Sequence, residues 1–340
     1  MQKKERNNMN PKSKSTMVPM EVKYTPAWLT WVGTTTSCLQ ALGHDCDAVD
    51  VAGMSGYAFH LCINPGLCPS GPTMIDWSKL PWGVRLLGRS TLLYEGGRCH
   101  SGKYINDQTR AHCKVAFDLA KREIDAGRPC VLWGAYIPEF AIVVGIDKNS
   151  YNVKSYRELT HEPQPPIPYE EIIAPGGVYF LAFPEPVSVP DLSADQCALA
   201  NAVEFFKPRA FTLKYGVNAY DFWVSELKSH NADTFGNSYN AQCYAESRCF
   251  AHEFLNRIAK RNKKAQSQLN DAVAYYAKAS EAMGCVAKMF PFSPGEAGKK
   301  VEDDKLISEA VESLQIARDA ESRAMEIIEK VAGNSKLWES

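Results

Sequence analysis

The spacing of apolar positions changes once along the chain. Before about residue 186 they fall in short blocks, Cys130-Val131-Leu132-Trp133, then 140–146, then 177–183, with glycines, prolines and polar residues between them. Apolar blocks of that length between turn residues predict buried strands. Asp147-Lys148-Asn149-Ser150 predicts a hairpin turn that returns the chain through 151–156. A helix is predicted from Asn106-Asp107 to about Ala126, with Ala111, Val115, Phe117 and Ile124 on its apolar face and Gly127 at its end. A shorter helix is predicted at 38–42, where Thr34-Thr35-Thr36-Ser37 supply hydroxyl N-caps and Gly43 closes it. The turn-rich segment 64–81 reads as a loop.

After the proline-rich stretch Pro184-Glu185-Pro186 to Pro190 the strand pattern stops and helical spacing takes over. Helices are predicted at 194–207, at about 218–228, from Asn237-Ser238 onward with Cys243, Phe250, Phe254, Leu255 and Ile258 at helical spacing, at 264–289, and at 302–331. Long helices joined by short connections read as an antiparallel bundle. The expected organisation is therefore a disordered Lys-, Asn- and Ser-rich tail over 1–20, an α+β domain over 21–186 and an all-helical domain over 191–333. A length of 340 residues suits two domains.

Composition narrows the function classes. Hydrophobic residues make up 45% and charged residues 23%, the proportions of a globular chain rather than a disordered one. With 38 basic against 39 acidic residues, there is no basic excess of the kind nucleic-acid binding leaves, so no nucleic-acid partner is expected. No apolar run approaches the ~20 residues of a membrane span, and no secretory leader pattern opens the chain, so a cytoplasmic location is expected. The eleven cysteines include no C-x-x-C pair, and their odd count favours free thiols in a reducing compartment.

No cofactor or metal is expected. The segment Gly96-Gly97-Arg98-Cys99-His100-Ser101-Gly102-Lys103 lacks the GxxxxGK[ST] spacing of a phosphate loop. Cys62, Cys68, Cys99 and His100 fall outside the usual spacing of zinc ligands. The candidate for chemistry is Cys38. After a run of hydroxyl residues at a helix opening, the helix dipole and unpaired N–H groups would favour its thiolate, the form that acts as nucleophile.

Cys38 opening a helix, the helix end Gly127-Arg128-Pro129, the strand that follows and Glu139-Phe140-Ala141-Ile142-Val143-Val144-Gly145-Ile146-Asp147 together resemble the papain-like cysteine-peptidase fold. The layout is most similar to its bacteriocin-processing branch. The stretch 38–59, with Leu42-Gly43 and Gly53-Met54-Ser55-Gly56-Tyr57-Ala58-Phe59, resembles more closely the butirosin-biosynthesis acyltransferase family. In that family a papain-like N-terminal domain transfers an acyl group from a carrier protein to an aminoglycoside amine. Ala219-Tyr220-Asp221-Phe222-Trp223 and Ala245-Glu246-Ser247-Arg248 are similar to the helical tails of its relatives. The resemblance covers roughly 30–330. It implies a papain-like α+β domain, an N-terminal helix plus antiparallel sheet, followed by an antiparallel helical bundle.

The resemblance breaks at one catalytic position. Where the family pattern starts its second central strand with histidine, this chain has Glu139, and the place of the orienting Asp or Asn falls near Ser155. A carboxylate beside a thiol raises its pKa rather than lowering it, so Glu139 would serve only as a carboxyl of raised pKa acting as base. His60 and His100 are the other candidate bases. Two expectations follow: an acyltransferase or amidohydrolase acting through Cys38 on a small-molecule or acyl-carrier substrate, or a triad-depleted pseudoenzyme that binds a small molecule, peptide or protein partner. Conventional proteolysis is not expected.

Overall fold

The computed structural model of the chain describes residues 15–97, 107–207 and 214–339. In chain order its elements are β1 (Thr16–Met17), α1 (Thr30–Ala41), α2 (Ala48–Met54), α3 (Pro81–Leu86), β2 (Leu92–Gly96), α4 (Asp107–Asp125), β3 (Cys130–Trp133), β4 (Phe140–Asp147), β5 (Ser150–Lys154), α5 (Arg157–Thr160), β6 (Ile167–Pro168) and β7 (Val178–Ala182). Helices follow to the end: α6 (Asp191–Phe206), α7 (Val217–Lys228), α8 (Thr234–Arg261), α9 (Gln266–Met289) and α10 (Asp304–Gly333). Mixed helix with an antiparallel sheet is the α+β class that the sequence pattern predicts.

The chain divides into two compact units. A sheet unit comprises Met1–Tyr24 and Tyr94–Ala182, and a helical unit comprises Thr25–Leu93 and Phe183–Ser340. This line differs from the expected 21–186 and 191–333. One break, between Ala182 and Phe183, falls just before Pro184, but the segment that carries Cys38 groups with the C-terminal helices rather than with the sheet. Packing explains it, since α2 lies against α8 and α6, and the 3-10 turn Tyr57–Phe59 lies against α8. At the α2–α8 contact, a Cβ on Gly53 would lie 2.1 Å from the Phe254 ring, so only glycine permits the approach.

In the sheet unit the strand order is β2-β7-β3-β4-β5-β6. The ladders β3–β4, β3–β7, β4–β5 and β5–β6 are antiparallel. β3 and β7 are buried along their whole length, which is why they read as unbroken apolar runs. Part of the expected tail is ordered: Thr16 pairs with Ile146 and Met17 with Gly145, so β1 extends the β4 edge that β3 occupies further back. α4 packs against β1, β3, β4 and β7, burying Cys113, Ala116, Phe117, Ala120 and Ile124 at helical spacing.

The helical unit packs α8 against α9, α9 against α10, and α10 against α6 and α7. Trp223, Leu227, Tyr244, Met283, Leu314 and Ala317 share one core cluster. α8 begins earlier than expected because Asp233, not Asn237, caps it, its side chain accepting from the Gly236 N–H at 2.8 Å. The expected loop over 64–81 is instead a series of 3-10 turns leading into α3.

Candidate functional site

Cys38 does not stand at a helix opening. α1 starts at Thr30, and the hydroxyl run read as caps lies inside it. Thr34 donates to the Thr30 carbonyl at 2.8 Å, Thr36 to the Val32 carbonyl at 2.8 Å and Ser37 to the Gly33 carbonyl at 2.9 Å. This back-bonding satisfies hydroxyls in a helix interior, so the same residues that cap helices are accommodated within one. Cys38 therefore lies in the third turn, beyond the reach of the first-turn N–H groups.

The thiol is 0% exposed. Burial pushes its pKa well above the ordinary thiol value. A neutral, enclosed thiol is the inert form of cysteine.

His60 belongs to the same helical unit and follows the Tyr57–Phe59 turn. It is buried at 2% exposure, and its carbonyl accepts a hydrogen bond from Arg248 Nη1 at 2.7 Å. Its ring lies 6.1 Å from those of Tyr57 and Tyr215. Tyr57 in turn meets Trp31 edge-on at 6.3 Å, and Trp31 shares a helical face with Cys38 two turns on.

Glu139 belongs to the sheet unit, partly buried in the connection between β3 and β4. Its carbonyl accepts from the Gly134 N–H at 3.0 Å. Ser155, also in the sheet unit, is buried just past β5, and its N–H and hydroxyl both donate to Gln164 Oε1 at 2.8 Å. Thus the candidates fall into two groups, Cys38 with His60 and Glu139 with Ser155. His100, and Cys99 beside it, lie outside the described residues. Among the described residues no cluster of His, Cys, Asp or Glu has metal-binding geometry, and no helix is long and apolar enough to cross a membrane.

Two polar centres in the helical unit escaped the sequence reading. The first is the ion pair of Arg248 on α8 with Glu321 on α10, both 0% exposed. Arg248 Nε lies 2.7 Å from Glu321 Oε1, and Nη2 donates to Oε2 at 3.0 Å. Tyr220 and Tyr276 lie against the same carboxylate, their hydroxyl pKa values raised chiefly by burial. Tyr244, from the α8 turn before Arg248, donates to the Cys62 carbonyl at 2.6 Å and accepts from the Cys62 N–H at 3.0 Å. Together Arg248 and Tyr244 fasten the backbone of 60–62 to α8. An arginine in line with Tyr244, Ala251 and Leu255 on an apolar helix face was the one available sequence signal.

The second is Glu246 on α8. Its two carboxylate oxygens accept the backbone N–H groups of Trp28 and Leu29, each at 3.0 Å. Leu29 is the N-cap of α1 and provides no side-chain cap of its own. Burial pushes the Glu246 pKa up to about 7, against the lowering effect of the two N–H donors.

The helical unit also carries an open groove of about 420 Å³, lined by Asp271, Ala274, Tyr275 and Lys278 of α9 and Ile327 of α10. Lys278 Nζ lies 5.7 Å from the centre of the Tyr275 ring, and Asp271 stands about two turns away along the same helix face.

Comparison with protein-family models and with curated proteins finds no match to this chain.

Proposed function

We propose that this chain is a papain-like-fold protein with a helical bundle domain whose cysteine is not used for catalysis, and that it works by binding a small molecule. One observation carries the reading: Cys38 is an enclosed thiol inside a helix, and burial holds it in the neutral form. Nucleophilic catalysis by cysteine needs a thiolate, or a base in place to form one. The chain has glutamate at position 139, where the family pattern has the histidine that serves as base, and this supports the same conclusion.

The groove between α9 and α10 supports the binding half of the proposal. It offers an anion-binding ammonium at Lys278, a flat ring at Tyr275 and a cation-binding carboxylate at Asp271. A small polar ligand with an acidic and a basic end fits that lining.

The test uses S-acetyl-N-acetylcysteamine, a small acyl thioester, on the native full chain. Intact-mass analysis is expected to show no acetyl group on Cys38 after prolonged incubation. An acetyl adduct that forms on the native chain and is absent from Cys38→Ala would overturn the proposal and restore acyl transfer through Cys38.

A further inference from the structure

Where α8 turns into α9 the chain reads Lys260-Arg261-Asn262-Lys263-Lys264, and all of these but Asn262 are exposed. Asn262 is the C-cap of α8 and organises the bend. Its Oδ1 accepts the N–H groups of Lys264 and Ala265, each at 3.1 Å, and its Nδ2 donates to the Leu337 carbonyl at 3.1 Å. The last of these bonds brings the segment after α10 onto the turn. Trp338 anchors that segment, buried, with Nε1 donating to the Val331 carbonyl at 2.9 Å. Lys330, in the last turn of α10, and Lys336, in the 3-10 turn Ser335–Leu337, thereby join the same end of the helical unit, both exposed.

The salt bridges at this end engage other residues, Arg261 with Asp195 and Lys207 with Glu329. Among the described residues, Lys260, Lys263, Lys264, Lys330 and Lys336 form no ion pair. Lys264 Nζ donates to the Glu339 carbonyl at 2.6 Å, a neutral acceptor that leaves its charge uncompensated. Asp191 and Glu339, both exposed, are the acids left to oppose five lysines. Cations favour the C-terminal ends of helices, which accounts for Lys260 and Lys330. It does not account for Lys263, Lys264 and Lys336, which lie beyond the last residues of α8 and α10.

We infer that this lysine-lined end of the helical unit is a docking surface for an anionic lipid bilayer. The inference depends neither on Cys38 nor on the groove between α9 and α10. Every unpaired cation here is a lysine, a hydrated point charge on a flexible stem. The arginines of the same stretch of α8, Arg257 and Arg261, are held by Asp47, Asp50 and Asp195. Point charges without the arginine fork suit attraction to a charged plane better than recognition of a single phosphate or carboxylate. Proteins that bind single-stranded nucleic acid add aromatic faces on which bases stack, whereas Trp338 is buried. Leu337 is half-buried, so attachment relies on charge and is reversible.

The experiment is sedimentation of the full chain with vesicles of phosphatidylcholine containing phosphatidylserine, and with vesicles of phosphatidylcholine alone. At low salt the chain should pellet with the first and not with the second, and high salt should release it. Each lysine near an anionic surface contributes about fivefold to binding, so the triple variant Lys260→Gln, Lys263→Gln, Lys264→Gln should bind about 100-fold more weakly. Lys330→Gln with Lys336→Gln should lose about 25-fold. Lys114→Gln with Lys121→Gln, on α4 of the sheet unit, should leave binding unchanged. Failure to pellet with phosphatidylserine vesicles at low salt would overturn the inference, as would equal binding by the triple variant and the α4 variant. A single-stranded oligonucleotide that binds the chain more tightly than those vesicles, and loses its grip on the triple variant, would overturn it by assigning the surface to nucleic acid.

Discussion

The two units share one way of treating buried charge, a buried acid with a partly exposed arginine (Glu123 with Arg128 in the sheet unit, Asp195 with Arg261 in the helical unit), and the helical unit adds a second. In the sheet unit the buried acidic side chain Glu123 keeps its counter-ions at the surface. Arg128 reaches it at 2.7 Å and Arg122 at 3.2 Å, with 23% and 60% of their side chains exposed. The helical unit encloses both members of a pair, Arg248 and Glu321, and surrounds them with tyrosines. A half-solvated pair is cheap to form and adds modest stability. An enclosed pair loses hydration on both sides and recovers it only through close geometry, so its value lies in penalising any arrangement that separates the partners. The sheet gets its register from backbone ladders. Helices have no such ladder between them, and a buried pair joining α8 to α10 supplies a fixed point.

The largest expected effect tests that contrast. Glu321→Ala should destabilise the helical unit by about 3–5 kcal/mol, because it strands the Arg248 guanidinium in the core. Urea denaturation monitored by near-ultraviolet circular dichroism is the measurement. Replacing both partners, Arg248→Met with Glu321→Leu, should recover most of that loss. A double variant as unstable as the single one would mean that the pair is a net source of stability, not only of register.

In the sheet unit, Glu123→Gln should cost about 1–2 kcal/mol, the value of charge-assisted hydrogen bonds to partly exposed arginines. A loss as large as that of Glu321→Ala would erase the contrast. Smaller still is Asp118→Asn, which removes an exposed pair with Lys114 one helical turn away on α4. It should cost about 0.3–0.5 kcal/mol and vanish in high salt.

Thiol accessibility sharpens the comparison without changing stability. Iodoacetamide should label the exposed Cys68, Cys197, Cys249 and Cys285 of the helical unit in the native chain, and Cys38 only in denaturant. Early labelling of Cys38 would show that α1 opens far more readily than its packing implies.

How much of this was legible in the sequence depends on whether the determinant was local. β3, β4 and β7 were legible because each is a buried apolar run closed by turn residues, and the β4–β5 turn carried its own Asp-Lys-Asn-Ser signal. α9 ends within a residue or two of the expected position for the same reason, with Pro291 and Pro294 just beyond it. α1 was misread because Thr34, Thr36 and Ser37 have two ways to satisfy a hydroxyl, a cap or the carbonyl one turn back. Only the tertiary setting selects between them. The burial of Cys38 follows from that choice, so its chemistry was hidden as well.

Arg248 and Glu321 are 73 residues apart, and Glu246 serves a helix 217 residues before it. Neither partnership leaves a local pattern. The grouping of 25–93 with the C-terminal helices was invisible for the same reason, since Gly53 signals a close approach but not by what.

That grouping has a consequence for the order in which the chain is made. α2 leaves the ribosome about 200 residues before Phe254, the ring that packs on Gly53. At synthesis rates of roughly 5–20 residues per second, its apolar face waits on the order of 10–40 seconds for its partner. The sheet unit, by contrast, is complete once β7 has emerged. During translation, the last-encoded half of the chain is thus what rescues the first-encoded helices from exposure, and any pause after β7 prolongs the interval in which they are open to aggregation or to a chaperone.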